Sequence, residues 1–166
     1  DNGMLHLVWS EGTNAGITIQ YSSNPDGSPA AWTGAESVLA GTVLRPALVV
    51  NDANGQLVVA AQRITDGDIL TAPNAIATAH KALGETSWNT GADIALGVTT
   101  RLNEDTGAVD DHQAYFDLAS DTAGRVYLLY ADNVANSPNE TNNPIRMVVS
   151  EDQGENWSAP VQVGTG

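Results

Sequence analysis

Four acidic side chains, Glu104, Asp105, Asp110 and Asp111, crowd the stretch RLNEDTGAVDDH at residues 101–112. Clustered carboxylate oxygens are what calcium prefers, since a hard cation takes about six or more oxygen ligands. The spacing follows no EF-hand loop, so a solvated acidic loop stands beside calcium as the plainer reading. His6, His80 and His112 have no mutual spacing that suggests a metal site or a nucleophilic triad. A third pattern is SEDQGENW, which sets Ser150, Asp152, Gly154 and Trp157 at fixed offsets with no other hydrophobic residue between them. An interior glycine and missing apolar spacing argue against a helix there. A turn fits: an Asp two residues before a Gly can accept the turn's N–H groups while the glycine takes a positive φ. Trp157 then opens the outgoing strand, where its ring can cover one end of a sheet.

The elements that carry these residues repeat. PIRMVVS before the turn is β-branched and PVQVG after it alternates apolar and polar. The same succession surrounds Trp32 and Trp88, with GITIQYSS and NAIATAHK before them and ESVLAG and ADIALG after. Further upstream in each unit comes another strand-like run, MLHLVWSE, QLVVAAQR and RVYLLYAD. The second and third units add a leading run, RPALVVND and AYFDLASD, joined to the next by ANG and TAG turns. Four strands per unit at a period of about 60 residues, with no convincing helix, predict an all-β chain built of propeller blades. The units fall at about 1–41, 42–97 and 98–166, the first lacking its leading strand. Three blades cannot close a ring, because propellers need about four to eight, so a larger chain or assembly is expected.

SEDQGENW resembles the Asp box, Ser/Thr-x-Asp-x-Gly-x-x-Trp, of sialidases and related six-bladed propellers. The resemblance is full at Ser150, Asp152, Gly154 and Trp157 and degenerate around Trp32 and Trp88. In that family the box is a structural turn between the outer two strands of a blade. A second stretch, LRPALVVNDANGQLVVAAQRITDGD at residues 44–68, resembles the sialidase segment that opens with Arg-Ile-Pro-Ala-Leu. The resemblance implies that Arg45 is one of three arginines that clamp a substrate carboxylate. It places Arg63 beside the site, and makes Asp68, ahead of Asp66, the acid/base. An arginine offers a planar fork for a carboxylate, and a loop Asp can shuttle a proton at a glycosidic oxygen. The isoleucine between Arg and Pro is absent, and the Tyr–Glu nucleophile pair has no recognisable place in the chain.

The wider composition narrows the partners. Six basic against twenty acidic residues in 166 give a net charge of −14, which excludes nucleic acid and anionic membranes as partners. No run approaches the roughly 18 apolar residues that span a bilayer. Cysteine is absent, so there are no disulfides or thiolate metal sites. One lysine among many Asp and Asn suits a secreted, extracellular protein. The expectation is an extracellular propeller module with a binding or structural role and no resident cofactor unless calcium binds. Anionic glycans, further blades or other chains are its expected partners, and a sialidase-like glycoside hydrolase is the alternative.

Overall fold

The computed structural model describes residues 3–13, 16–65, 75–96, 115–132 and 144–165. Among them every regular element is a strand and none is a helix. The first sheet contains β1 (Leu5–Thr13), β2 (Gly16–Asn24) and β3 (Glu36–Leu39) in that order. The second contains β4 (Val43–Asn51), β5 (Gln56–Arg63) and β6 (Ala75–Ala82), with two short outer pieces on β6, β7 (Asn89–Thr90) and β8 (Ile94–Ala95). The third runs β9 (Phe116–Ser120), β10 (Val126–Ala131), β11 (Pro144–Ser150) and β12 (Val161–Thr165). Strands within each sheet pair antiparallel with their chain neighbours, and the sheets pack face to face. This is about three blades of a partial β-propeller, the first without its leading strand.

Two cores lie between the three sheets. Leu57, Val59 and Ala61 of β5 face the first sheet and meet Ile19, Tyr21, Val38 and Val43. Val58 and Ala60, one residue out of phase, face the third sheet and meet Leu118, Val126, Leu128 and Val148. A strand covered on both faces has no polar side to show, which is why QLVVAAQR reads as nearly continuous apolar sequence. Burying a large aliphatic side chain contributes about 1.5–3 kcal/mol, so these two cores dominate the cohesion of the stack.

The outer strand of the second sheet was expected in ADIALG, residues 92–97; it is Ile94–Ala95 there, and Asn89–Thr90 before it pairs with β6 as a separate piece. Between β7 and β8 the chain turns to meet the third sheet, where the Ala92 N–H donates to the Glu155 carbonyl. The donor that would extend the ladder is used across sheets instead.

The stack has two distinct ends. At the turn end, Asn51 accepts the Ala53 N–H and donates to the Gly124 carbonyl at 2.8 Å, tying the second sheet's turn to the third's. Asp121 organises the latter turn, accepting from the Ala123 and Arg125 N–H groups and from the Tyr127 hydroxyl. The Tyr127 hydroxyl, with Arg125 behind it, outweighs desolvation and holds this carboxyl down to about 2. The Ser150–Trp157 turn lies at this end too. At the opposite, loop end stand Arg63, Ala75, Ala131 and Pro144, where the connections 66–74 and 133–143 leave and rejoin the sheets.

Candidate functional site

Arg45 is placed by a break in its own strand. Val43 pairs with Arg63 and Leu44 with Gln62, but the next pair is Ala47 with Ala60. Arg45 and Pro46 therefore form a bulge, the ordinary refuge of a proline within a sheet because it has no ladder donor. The bulge also reverses the phase of β4, so Val43 faces the first sheet while Ala47 faces the third. Arg45 takes φ 52°, a left-handed conformation costing about 1–3 kcal/mol in a non-glycine residue. Its N–H donates to Ser10 Oγ at 3.2 Å, and the residue is exposed at the loop end.

Arg63, at the end of β5, emerges at that same end, as the antiparallel register requires. Its Nε stands 2.8 Å from Asp93 Oδ2, close enough to ion-pair although not aligned for a hydrogen bond. Arg146 is matched in the same way, with Nε 2.5 Å from Asp132 Oδ2. Among the described residues the loop end thus carries Arg45, Arg63 and Arg146, and Arg63 and Arg146 each stand against an aspartate. Asp68 and Asp66 lie outside the described residues, as do Glu104, Asp105, Asp110 and Asp111 of the calcium reading. Among the described residues no three His, Asp or Glu side chains gather as a metal site.

The Ser150–Trp157 turn is a joint. Ser150 is buried, and its hydroxyl donates to Asp152 Oδ1 while accepting the Gly154 N–H at 2.7 Å. Asp152 also accepts the Asn156 N–H and the Asn156 side-chain amide, each at 2.8 Å. Desolvation pushes the Asp152 carboxyl up, but these donors prevail and hold it below the usual carboxylate range. A carboxylate so occupied serves its own turn, as the sequence leads one to expect. We predict that Ser150→Ala costs about 1–3 kcal/mol, since it strands the buried Gly154 N–H. Asp152→Ala costs less, about 1 kcal/mol, because the Asn156 N–H it strands is exposed to water. Urea unfolding of both variants checks the order, which reverses if the carboxylate rather than the hydroxyl organises the turn. Trp157 precedes β12 rather than opening it, and its Nε1–H reaches back to Thr78 Oγ1 of the second sheet at 3.3 Å.

No protein-family model matches the chain, and no curated protein matches it by sequence. Solved structures match in fold. A polysaccharide lyase, an ulvan lyase, aligns over 98% of this chain and 36% of its own at 15% identity and a TM-score of 0.61. It is also known bound to -[GlcA(1-4)Rha3S]-. An exo-β-1,3-galactanase from Clostridium thermocellum aligns over 99% and 36% at 12% identity and a TM-score of 0.61. An N-acetylgalactosamine deacetylase from F. plautii aligns over 99% and 49% at 14% identity and a TM-score of 0.55. The chain has the fold of a partial β-propeller. It spans between about a third and a half of the length of these enzymes, and at such identities the likeness concerns fold alone.

A second polar cluster of this partial propeller was not anticipated from sequence. Lys81, the chain's one lysine, is buried between the first and second sheets. Its Nζ lies 2.5 Å from Glu36 Oε2, 4.5 Å from the Tyr21 ring centre and 5.0 Å from that of Trp88. The Trp88 Nε1–H also donates to Glu36 at 3.3 Å, and His6 Nδ1 is 2.8 Å from the Tyr21 hydroxyl. Burial first, and Lys81 second, lower the His6 pKa, so its ring stays neutral near pH 7. The signal was present in ATAHKA. Lys81 shares the strand phase of Ala77 and Ala79, and a lysine on a buried face requires a carboxylate and ring faces around it.

Proposed function

We propose that the chain forms three blades of an extracellular Asp-box propeller that binds carboxylate-bearing glycans as part of a larger chain or assembly. Arg45 carries this reading. It is a non-glycine residue held at φ 52° in an exposed bulge, a conformation that costs free energy and that clusters at functional sites. Its guanidinium presents a planar fork at the loop end, suited to a carboxylate. The fold neighbours act on carbohydrates by their descriptions, one of them bound to a glucuronic acid-containing disaccharide, which agrees with an anionic sugar as ligand. Arg63 and Arg146 already face Asp93 and Asp132, which favours recognition over a three-arginine clamp built for catalysis. The second reading is a sialidase-like hydrolase with Asp68 as acid/base. The shared end of Arg45 and Arg63 favours it.

The test is calorimetric titration with sialic acid, glucuronic acid and neutral galactose. The native chain is expected to bind the two acids, and Arg45→Ala to weaken binding by about 1.5–3 kcal/mol, roughly 10- to 100-fold. Arg45→Gly should lose binding equally while keeping or raising thermal stability, because glycine relieves the backbone strain. Equal binding by native and variant chains overturns the proposal. Release of sialic acid from a glycoside shifts the reading to the hydrolase.

A further inference from the structure

The junction between the first and second sheets holds a histidine beside a buried cation. His6 of β1 points into it, on the face of Val8, with Nδ1 2.8 Å from the Tyr21 hydroxyl of β2. The two rings are tilted by 24° with 6.0 Å between their centres. From β6 the Lys81 ammonium stands over the same Tyr21 ring at 4.5 Å. Glu36 of β3 faces Lys81 and also accepts the Trp88 Nε1–H, so its carboxylate is already engaged. Asp52, in the turn between β4 and β5, is the other charge that acts on His6. Glu11 of its own strand alternates to the opposite face.

A neutral imidazole suits this place in either tautomer, since the Tyr21 hydroxyl can donate to a bare Nδ1 or accept from a protonated one. An imidazolium does not. Both its nitrogens are charged donors, and Nε2 is buried with no partner among the described residues. It would also set a second positive charge against the ring that Lys81 already occupies. Burial and Lys81 oppose the proton and Asp52 favours it; the first two prevail, which lowers the His6 pKa from its ordinary 6.5. The unfolded chain therefore takes up this proton first as pH falls. Stability linked to His6 is fully present above about pH 6.5 and is lost as the pH drops through the lower folded value.

We infer that this junction is an acid-sensitive clasp: protonation of His6 loosens the first sheet from the second and leaves the second and third joined. The inference rests on the junction alone, not on the glycan proposal. The other junction is built without a lysine, because Trp157 bonds the Thr78 hydroxyl there and the chain's one lysine stands at the first. Loosening has a consequence at the loop end, since Ser10 of β1 holds the Arg45 N–H across the clasped junction. Mild acid thus slackens the Arg45 bulge before it disturbs the rest of the stack.

Amide exchange followed by NMR from about pH 7 to about pH 5 tests this on the native chain, in a window where most carboxylates stay ionised. The Arg45 amide donates to Ser10 across the first junction, and the Ala92 amide donates to Glu155 across the second. With intrinsic exchange rates divided out, the protection of Arg45 relative to Ala92 should fall several-fold as the solution is acidified. The His6 ring should titrate below 6.5. His6→Gln keeps a side chain that can bond Tyr21 but cannot titrate, and should hold the ratio constant. His80 faces the third sheet near Gly154, so His80→Gln is the control and should keep the native fall. A constant ratio in the native chain, a fall that survives in His6→Gln or is lost in His80→Gln, or a His6 that titrates at or above 6.5 overturns the inference. Should His6→Gln fail to fold, the native ratio and the native titration decide.

Discussion

Gly154→Ala is expected to lower stability by about 2–4 kcal/mol, combining left-handed backbone strain with overpacking. Gly154 has φ 95°, and a methyl group there would stand 2.9 Å from Val58 Cγ1 and 3.6 Å from His80 Cβ. Both neighbours belong to the second sheet, so the substitution would push the third sheet off it. Gly84→Ala is the control. It has a similar φ of 89° and nothing within 4 Å of the added methyl, so it bears the backbone cost alone, about 1–2 kcal/mol. Chemical denaturation of the pair separates strain from packing. Equal losses in the two variants would show that the third sheet yields without cost, contrary to the contact described.

Lys81→Ala is expected to cost about 2–4 kcal/mol. Removing one member of a buried ion pair usually costs about 3–5 kcal/mol, and the figure is reduced here because Glu36 remains 32% exposed and water can reach it. The loss has two sources, an unpaired Glu36 and a void beside Tyr21 and Trp88. Lys81→Met with Glu36→Gln removes the charges together while keeping the apolar stem, and should cost less than Lys81→Ala alone. A double-mutant cycle read by urea unfolding apportions the two sources. If the paired substitution is the worse of the two, the Glu36 carboxylate and the bond it accepts from Trp88, rather than the charge balance, hold the sheets together.

The strands were legible because alternation and turn chemistry act over a few residues. PIRMVVS, QLVVAAQR and RVYLLYAD announce β11, β5 and β10, and the ANG and TAG turns separate β4 from β5 and β9 from β10. Ser150 and Asp152 could also be read, since their partners lie within four residues along the chain. What escaped depends on neighbours distant in sequence. The split between β7 and β8 comes from Glu155, and Lys81 meets Glu36 across 45 residues. The ion pair of Arg63 with Asp93, on the outer edge of the same sheet, was likewise not foreseen. Proline after Arg45 did advertise an irregularity in β4. Its consequence, the change of face along the strand, depends on the register with β5.

The backward reach of Trp88 and Trp157 gives the stack a direction. Each sheet grips the one before it through a side chain placed after its own third strand, so a sheet is secured only once most of its chain has been made. Stability in such an array is a sum of unit and nearest-neighbour terms, and the unit with two neighbours is the hardest to open. That unit is the second sheet, whose central strand is covered on both sides. Within these three sheets, the slowest amide exchange should therefore lie along β5, between the two cores.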